Sequence, residues 1–277
     1  MIITAKLLPK VEDSKHSIKL SVSKAKTFDD CKAKYKFCYT DKLPRVEQDF
    51  HVFGSFLHFA LEVFHRKLLN NPALKDNWKP SFQEAWDEAY TEFSSKVTGL
   101  QVKEGLKIYN EYKTILEEEG LPNVIAVEQN FLININDKVL LNGFIDRVQL
   151  DDDGLIHVAD YKTTKDPKYL KDYFQLLTYC YAIMLQDESL KRIRGSFILL
   201  KHNYNYLTHE FVRDEVITVA EKFLKYAFSI EEEKAWRPNP QFLCKYCDYL
   251  NHCKSGEDFL VKKGVIKKQP FVGIRKW

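Results

Sequence analysis

The sequence contains no apolar run near the roughly 20 residues a membrane-spanning helix needs, so no passage across a bilayer is expected. It has no G-x4-G-K-[ST] segment, which argues against a phosphate loop and a nucleotide-driven motor. The opening Met1-Ile2-Ile3-Thr4-Ala5-Lys6 lacks the basic-then-apolar order of a secretory signal, and an intracellular, cytoplasmic location is expected. Internal repeats and low-complexity stretches are absent, which excludes a solenoid or a disordered tether. Six cysteines without an export signal argue against a disulfide framework, because reducing compartments keep thiols free. The net charge of +3 is too small to name a partner.

What is present reads as an ordinary globular chain, with 45% hydrophobic and 29% charged residues. Lysines crowd two places: Lys24, Lys26, Lys32, Lys34 and Lys36, and the tail Lys262, Lys263, Lys267, Lys268, Arg275 and Lys276. Such clusters suit a polyphosphate partner, or serve simply as a solvated face. Periodicity predicts helices over Lys24–Tyr39, Val52–Leu69, Ser81–Val97 and Val102–Glu119, with a loop at Asn70–Lys79. Strands follow at Val124–Asn134, Lys138–Leu150 and Leu155–Thr163, joined by Asn136-Asp137 and Asp151-Asp152-Asp153-Gly154. A helix at Lys171–Gln186, strands at Arg194–His202 and Leu207–Val212, and a helix at Glu215–Lys234 complete the order. This pattern predicts an α/β fold: a sheet core preceded by a helical insertion, and a small cysteine-bearing lobe built from both ends. One domain over 1–277 is expected, with a helical part (21–120), a core (121–235) and a cysteine-rich segment with the basic tail (236–277).

The strongest local signal is Asp146, followed fourteen residues later by Asp160-Tyr161-Lys162. Residues two apart in a strand share a face, so Asp160 and Lys162 project together, and the hairpin turn brings Asp146 beside them. Carboxylates are the hard oxygen ligands that Mg²⁺ prefers, and a lysine beside them can orient or deprotonate a water. Upstream, Gly54, His58 and Glu62 share one helix face, and His58 offers a nitrogen ligand. Glu128, on the strand before Asp146, is a further acidic candidate, and an exposed strand glutamate is an equally good reading of it. Gln175 and Tyr179 put an amide and a phenol on one face of the helix after the lysine strand.

Among the cysteines, Cys180 lies in an apolar helical stretch and reads as core, whereas Cys244, Cys247 and Cys253 form C-x2-C-x5-C. Three thiolates at that spacing form a ligand pattern that needs a fourth, from Cys31 or Cys38. Four cysteines hold either structural Zn²⁺ or an iron–sulfur cluster.

Taken in order, Gly54–His58–Glu62, Gly143-Phe144-Ile145-Asp146-Arg147, Asp160-Tyr161-Lys162-Thr163 and Gln175–Tyr179 resemble the RecB/AddB/Cas4-type family of PD-(D/E)XK nucleases. The resemblance runs from about Leu20 to Cys253. It implies a restriction-endonuclease-like mixed sheet flanked by helices, with an iron–sulfur lobe formed by both termini. It also implies Mg²⁺ or Mn²⁺ held by His58, Asp146, Asp160 and the Tyr161 carbonyl, with Lys162 positioning the attacking water and Gln175 and Tyr179 holding the DNA. Cys31 becomes the remote partner of Cys244, Cys247 and Cys253 around a [4Fe–4S] cluster. One departure is Lys32, where many members carry proline. The implied activity is two-metal exonuclease cleavage of single-stranded DNA or DNA ends, 5′ to 3′. Its implied setting is recombination, repair or CRISPR adaptation, with the protein partners such settings bring. The competing expectation is a non-catalytic DNA-binding or assembly subunit that keeps the fold.

Overall fold

The computed structural model describes residues 18–170 and 172–267. The N-terminal hexapeptide and the basic-tail residues Lys268, Arg275 and Lys276 lie outside the described residues. In chain order the elements are β1 (Ile18–Leu20), α1 (Val22–Asp30), α2 (Lys32–Tyr35), α3 (Asp49–Asn70), α4 (Lys79–Phe93) and α5 (Gly99–Glu119). They continue with β2 (Val124–Asn134), β3 (Val139–Leu150), β4 (Ile156–Lys162), α6 (Phe174–Met184), β5 (Arg192–Leu199) and β6 (Asn205–Val212). The chain closes with α7 (Arg213–Val216), α8 (Thr218–Glu232) and α9 (Lys254–Lys262). Of the described residues, Phe50–Leu224 with 18–19 form one compact unit, and Leu20–Asp49 with 225–267 form a second.

In the first unit the strands form a mixed sheet in the order β1-β3-β4-β5-β6, with β2 also paired to β3. The β2–β3 and β3–β4 pairs are antiparallel hairpins, turned in the second case through Gly154 at φ 80°. A β4–α6–β5 crossover makes β4 and β5 parallel, the connection that lays a helix across the sheet. Gly195 on β5 permits α6 to lie close, because a β-carbon there would stand 3.2 Å from Leu176 Cβ and 2.9 Å from the Phe211 ring. Cys180 on α6 is fully buried, as its apolar surroundings predict.

Helices α3, α4 and α5 bury their apolar stripes together. Phe53, Phe56, Leu57, Leu61 and Phe64 of α3 meet Phe82 and Trp86 of α4 and Ile108, Tyr109 and Tyr112 of α5. Ala159, Tyr161, Ile198 and Leu200 of the sheet close this core, so it occupies the sheet face opposite Asp160 and Lys162. Thr98 and Gln101 form a reciprocal capping box that starts α5, and Gly120 at φ 87° ends it.

The expected single helix over Lys24–Tyr39 is broken. Cys31 is extended (φ −164°, ψ 110°) and serves as the end of α1 and the start of α2, and Lys36–Thr40 then winds as a π-helical turn. Two more expectations are corrected. The Asn70–Lys79 loop holds a 3-10 helix at Pro72–Asn77, and the helix over Glu215–Lys234 is split into α7 and α8. The helix expected over Lys171–Gln186 is seen as Phe174–Met184, and α9 was not foreseen.

Candidate active site

The last β3–β4 pair is Arg147 with Ala159, and one further step sets Asp146 opposite Asp160. Asp146 Oδ2 accepts the Tyr161 backbone N–H at 2.8 Å, which ties the two strands where they bear the carboxylates. Asp160 is 2% exposed, and its Oδ1 accepts the Gln175 amide at 2.7 Å and the Tyr179 hydroxyl at 3.2 Å. Its Oδ2 stands 2.5 Å from Lys162 Nζ, yet no hydrogen bond of good geometry reaches it. Lys162 Nζ also donates to Gln175 Oε1 at 3.0 Å and lies over the Phe197 ring at 5.2 Å.

The helices complete the cluster. Gln175 and Tyr179 sit one turn apart on α6, and the Gln175 amide donates to the Tyr179 hydroxyl at 2.8 Å. From α3, His58 Nδ1 stands 3.3 Å from Asp146 Oδ2, and its ring meets Tyr161 edge-on. Gly54, one turn earlier, lets α3 pass close to the end of β4: a β-carbon there would stand 3.2 Å from Thr163 Oγ1. Glu62 on the same face is engaged by Arg66 in an i,i+4 ion pair. Glu128 falls between the Val127–Arg147 and Gln129–Ile145 pairs, level with Asp146, and its backbone is left-handed at φ 45°. The structure thus brings together His58, Asp146, Asp160, Tyr161, Lys162, Gln175 and Tyr179, with Glu128 within their field and Glu62 beside Glu128.

The electrostatics are those of a site crowded with negative charge. Burial, and then the Asp160 charge, hold the Asp146 carboxyl well above the ordinary range. Burial and the neighbouring Glu62 push Glu128 up to about 7. Burial lowers His58 to about 4, so its imidazole is neutral at physiological pH and has a lone pair to offer. A buried carboxylate oxygen short of a hydrogen-bond donor, repelling carboxylates and a neutral histidine together suit a hard divalent cation. Among the described residues, however, no three His, Cys, Asp or Glu side chains stand as a ready-formed metal site. Asp160 is instead held by Lys162, Gln175 and Tyr179.

Behind the carboxylates lies a network that periodicity and motif spacing do not reveal. Arg147 is 1% exposed and donates to the hydroxyls of Tyr112 (3.2 Å), Tyr161 (3.4 Å) and Tyr206 (2.7 Å). His65 pairs with the Tyr112 hydroxyl at 2.9 Å, and burial, aided by Arg147, keeps this histidine neutral. The only sequence signal for this network was that Arg147 directly follows Asp146.

The second unit holds Cys31, Cys38, Cys244, Cys247 and Cys253. Cys31 Sγ accepts the Asn239 N–H at 3.4 Å, Cys244 Sγ that of Gln241 at 3.3 Å, and Cys253 Sγ that of Gly256 at 3.4 Å. Burial raises the Cys253 thiol, and the charges of Cys31 and Cys244 raise it further. Burial likewise raises Cys247, with Cys244 and Cys253 adding to it. Among the described residues no three of these thiols stand as a ready-formed metal site, and Cys38 lies beside Tyr249. Of the first lysine cluster, Lys32 is paired with Glu233 and Lys36 with Asp41.

A mixed sheet whose hairpin strands present two aspartates and a lysine, covered by a crossover helix, defines a nuclease fold. The chain belongs to the PD-(D/E)XK nuclease superfamily, whose family model matches residues 19–254. It is 27% identical over 188 residues to a component of the ATP-dependent helicase/deoxyribonuclease of Streptococcus agalactiae, a match covering 62% of this chain and 17% of the relative. The corresponding component in Streptococcus pyogenes serotype M1 is 25% identical over 200 residues, covering 66% of this chain and 18% of the relative. The chain thus spans less than a fifth of the length of these curated relatives. Among solved structures, a candidate exonuclease of Eubacterium rectale shares the fold at a TM-score of 0.52 and 10% identity, covering 92% of this chain and 90% of the other.

Proposed function

We propose that this chain is a Mg²⁺- or Mn²⁺-dependent deoxyribonuclease acting on single-stranded DNA or DNA ends, with 5′ to 3′ polarity. The observation that carries the reading is the convergence of Asp146, Asp160 and Lys162 on one sheet face, with His58 against Asp146 and Gln175 against Asp160. Asp146, Asp160, His58 and the Tyr161 carbonyl are the groups assigned to hold the cation. A bound divalent ion supplies Lewis-acid activation of water and neutralises charge gathering on the scissile phosphate. Lys162, kept in place by Gln175 and Asp160, orients the attacking water and steadies the developing negative charge. Gln175 and Tyr179, tied to each other and to Asp160, hold the phosphodiester strand. Membership in a nuclease superfamily and likeness to part of a helicase/deoxyribonuclease support DNA as substrate and a setting in recombination or repair.

The second unit is assigned a [4Fe–4S] cluster on Cys31, Cys244, Cys247 and Cys253. Three of these sulfurs accept backbone N–H groups, as cluster thiolates do. Gly256 packs beside Cys253 and Cys244: a β-carbon there would stand 3.4 Å from Cys253 Sγ and 3.6 Å from Cys244 Cβ. The role assigned to the cluster is to staple the α1–α2 junction to the C-terminal segment.

The test is cleavage of single-stranded DNA labelled at one end or the other, after chelation and after Mg²⁺ or Mn²⁺ is restored. Metal-dependent shortening from the 5′ end is expected: a 5′ label leaves early on short products, and a 3′ label stays on progressively shorter strands. A folded protein that binds DNA but never cleaves it favours the assembly-subunit reading, and shortening from the 3′ end reverses the polarity.

A further inference from the structure

Asp146 and Arg147 are neighbours on β3 that face opposite sides of the sheet, and Asp160 and Tyr161 are the same on β4. One residue, Tyr161, grips both members of the β3 pair. Its backbone N–H donates to Asp146 Oδ2 at 2.8 Å, and its hydroxyl accepts from Arg147 Nη1 at 3.4 Å. Arg147 lies across from it on the sheet diagonal, with its guanidinium 5.6 Å from the centre of the Tyr161 ring. Tyr112 from α5 and Tyr206 from β6 take the remaining bonds, and Nε is buried without a partner.

A guanidinium stays charged at any ordinary pH, and among the described residues no carboxylate is paired with this one. For stability alone a buried guanidinium is a costly choice, because its desolvation is offset here by neutral hydroxyls and not by an opposite charge. What it supplies in return is a rigid fork that reaches from β3 to two other strands and a helix at once. We infer that Arg147 is a positioning residue: through the Tyr161 hydroxyl it fixes β3 against β4 in the register that sets Asp146 opposite Asp160. The effect is exerted from the far side of the sheet and rests on the metal-binding role proposed above for those carboxylates.

Three tyrosine-to-phenylalanine variants separate positioning from bulk stability. Tyr161→Phe keeps the ring and the backbone but removes the hydroxyl that Arg147 Nη1 reaches. Tyr206→Phe releases the guanidinium at its half-exposed end. Tyr204→Phe removes a buried hydroxyl of the same region that has no partner, and serves as the control. Mn²⁺ binding to each DNA-free protein is measured by calorimetry beside its melting temperature, and then kcat and KM on single-stranded DNA. Loss of an outer partner of a metal ligand weakens metal binding by about 10-fold or more. A rise of about 10-fold in the Mn²⁺ dissociation constant is therefore expected for folded Tyr161→Phe, with kcat lowered and KM for DNA unchanged. A smaller rise is expected for Tyr206→Phe, which carries the test should Tyr161→Phe fail to fold, and none for Tyr204→Phe. Wild-type Mn²⁺ affinity in Tyr161→Phe and Tyr206→Phe overturns the positioning role, even if melting temperatures fall. A wild-type protein that binds no Mn²⁺ instead overturns the metal-site reading and this inference with it.

Discussion

Glu128 combines two costs at one position. Its backbone is left-handed within a strand, a conformation worth roughly 1–3 kcal/mol of strain in a non-glycine residue, and its carboxyl is pushed up to about 7. The folded protein therefore holds a proton on Glu128 between about pH 4.5 and 7 that the unfolded chain has released, so stability falls as pH rises through that window. His58 has the opposite sign: lowered to about 4, it contributes stability above its unfolded value of 6.5 that is lost as pH falls toward 4. Glu128→Gln isolates the first effect. In chelator-treated protein it is expected to raise the melting temperature relative to wild type at pH 8, and to leave it nearly unchanged at pH 4.5. An unchanged difference across that range would remove Glu128 from the charged cluster. The convergence of Asp146, Asp160 and Lys162 was legible in the sequence, because strand periodicity puts the last two on one face and the hairpin brings Asp146 beside them. The left-handed Glu128 was not, because nothing in Val127-Glu128-Gln129 marks a break in strand geometry.

At the scale of elements, the strands were easier to foresee than the helices that carry the cysteines. The β2–β4 hairpins are bounded by turn residues and filled with β-branched side chains, so their limits follow within a residue or two. The interruption at Cys31 leaves no such mark: Thr27 to Tyr35 reads as one helical stretch, and its break is fixed by a contact more than two hundred residues away, from Asn239 to Cys31 Sγ. That break separates the two rival cysteines. If the proposed cluster is present, Cys31→Ser is expected to abolish the visible absorption of anaerobically purified protein, while Cys38→Ser, beside Tyr249, retains it. The reverse pattern would exchange their roles, and a colourless wild type with bound zinc would replace the cluster. Gly143 offers an independent check on the β2–β3 packing. A β-carbon there would stand 2.5 Å from the Phe131 ring, so Gly143→Ala is expected to destabilise the protein by about 1–3 kcal/mol, read as a shifted urea midpoint.

For the whole molecule, the order of elements and a cysteine-bearing lobe built from both ends were legible, whereas the bounds of the two units were not, since these depend on which distant stretches pack together. The buried Arg147 network escaped for the same reason, joining residues from α3, α5, β3, β4 and β6. The functional claim depends on Asp160, because both of its oxygens face the groups that define the site. Its direct test is the rate of Mg²⁺-dependent cleavage of end-labelled single-stranded DNA by wild type and Asp160→Asn, purified identically and shown to be equally folded. Removing a residue of this kind is expected to lower the rate by at least about 10²–10³-fold while DNA binding persists. Equal cleavage by the two proteins would contradict the site assignment.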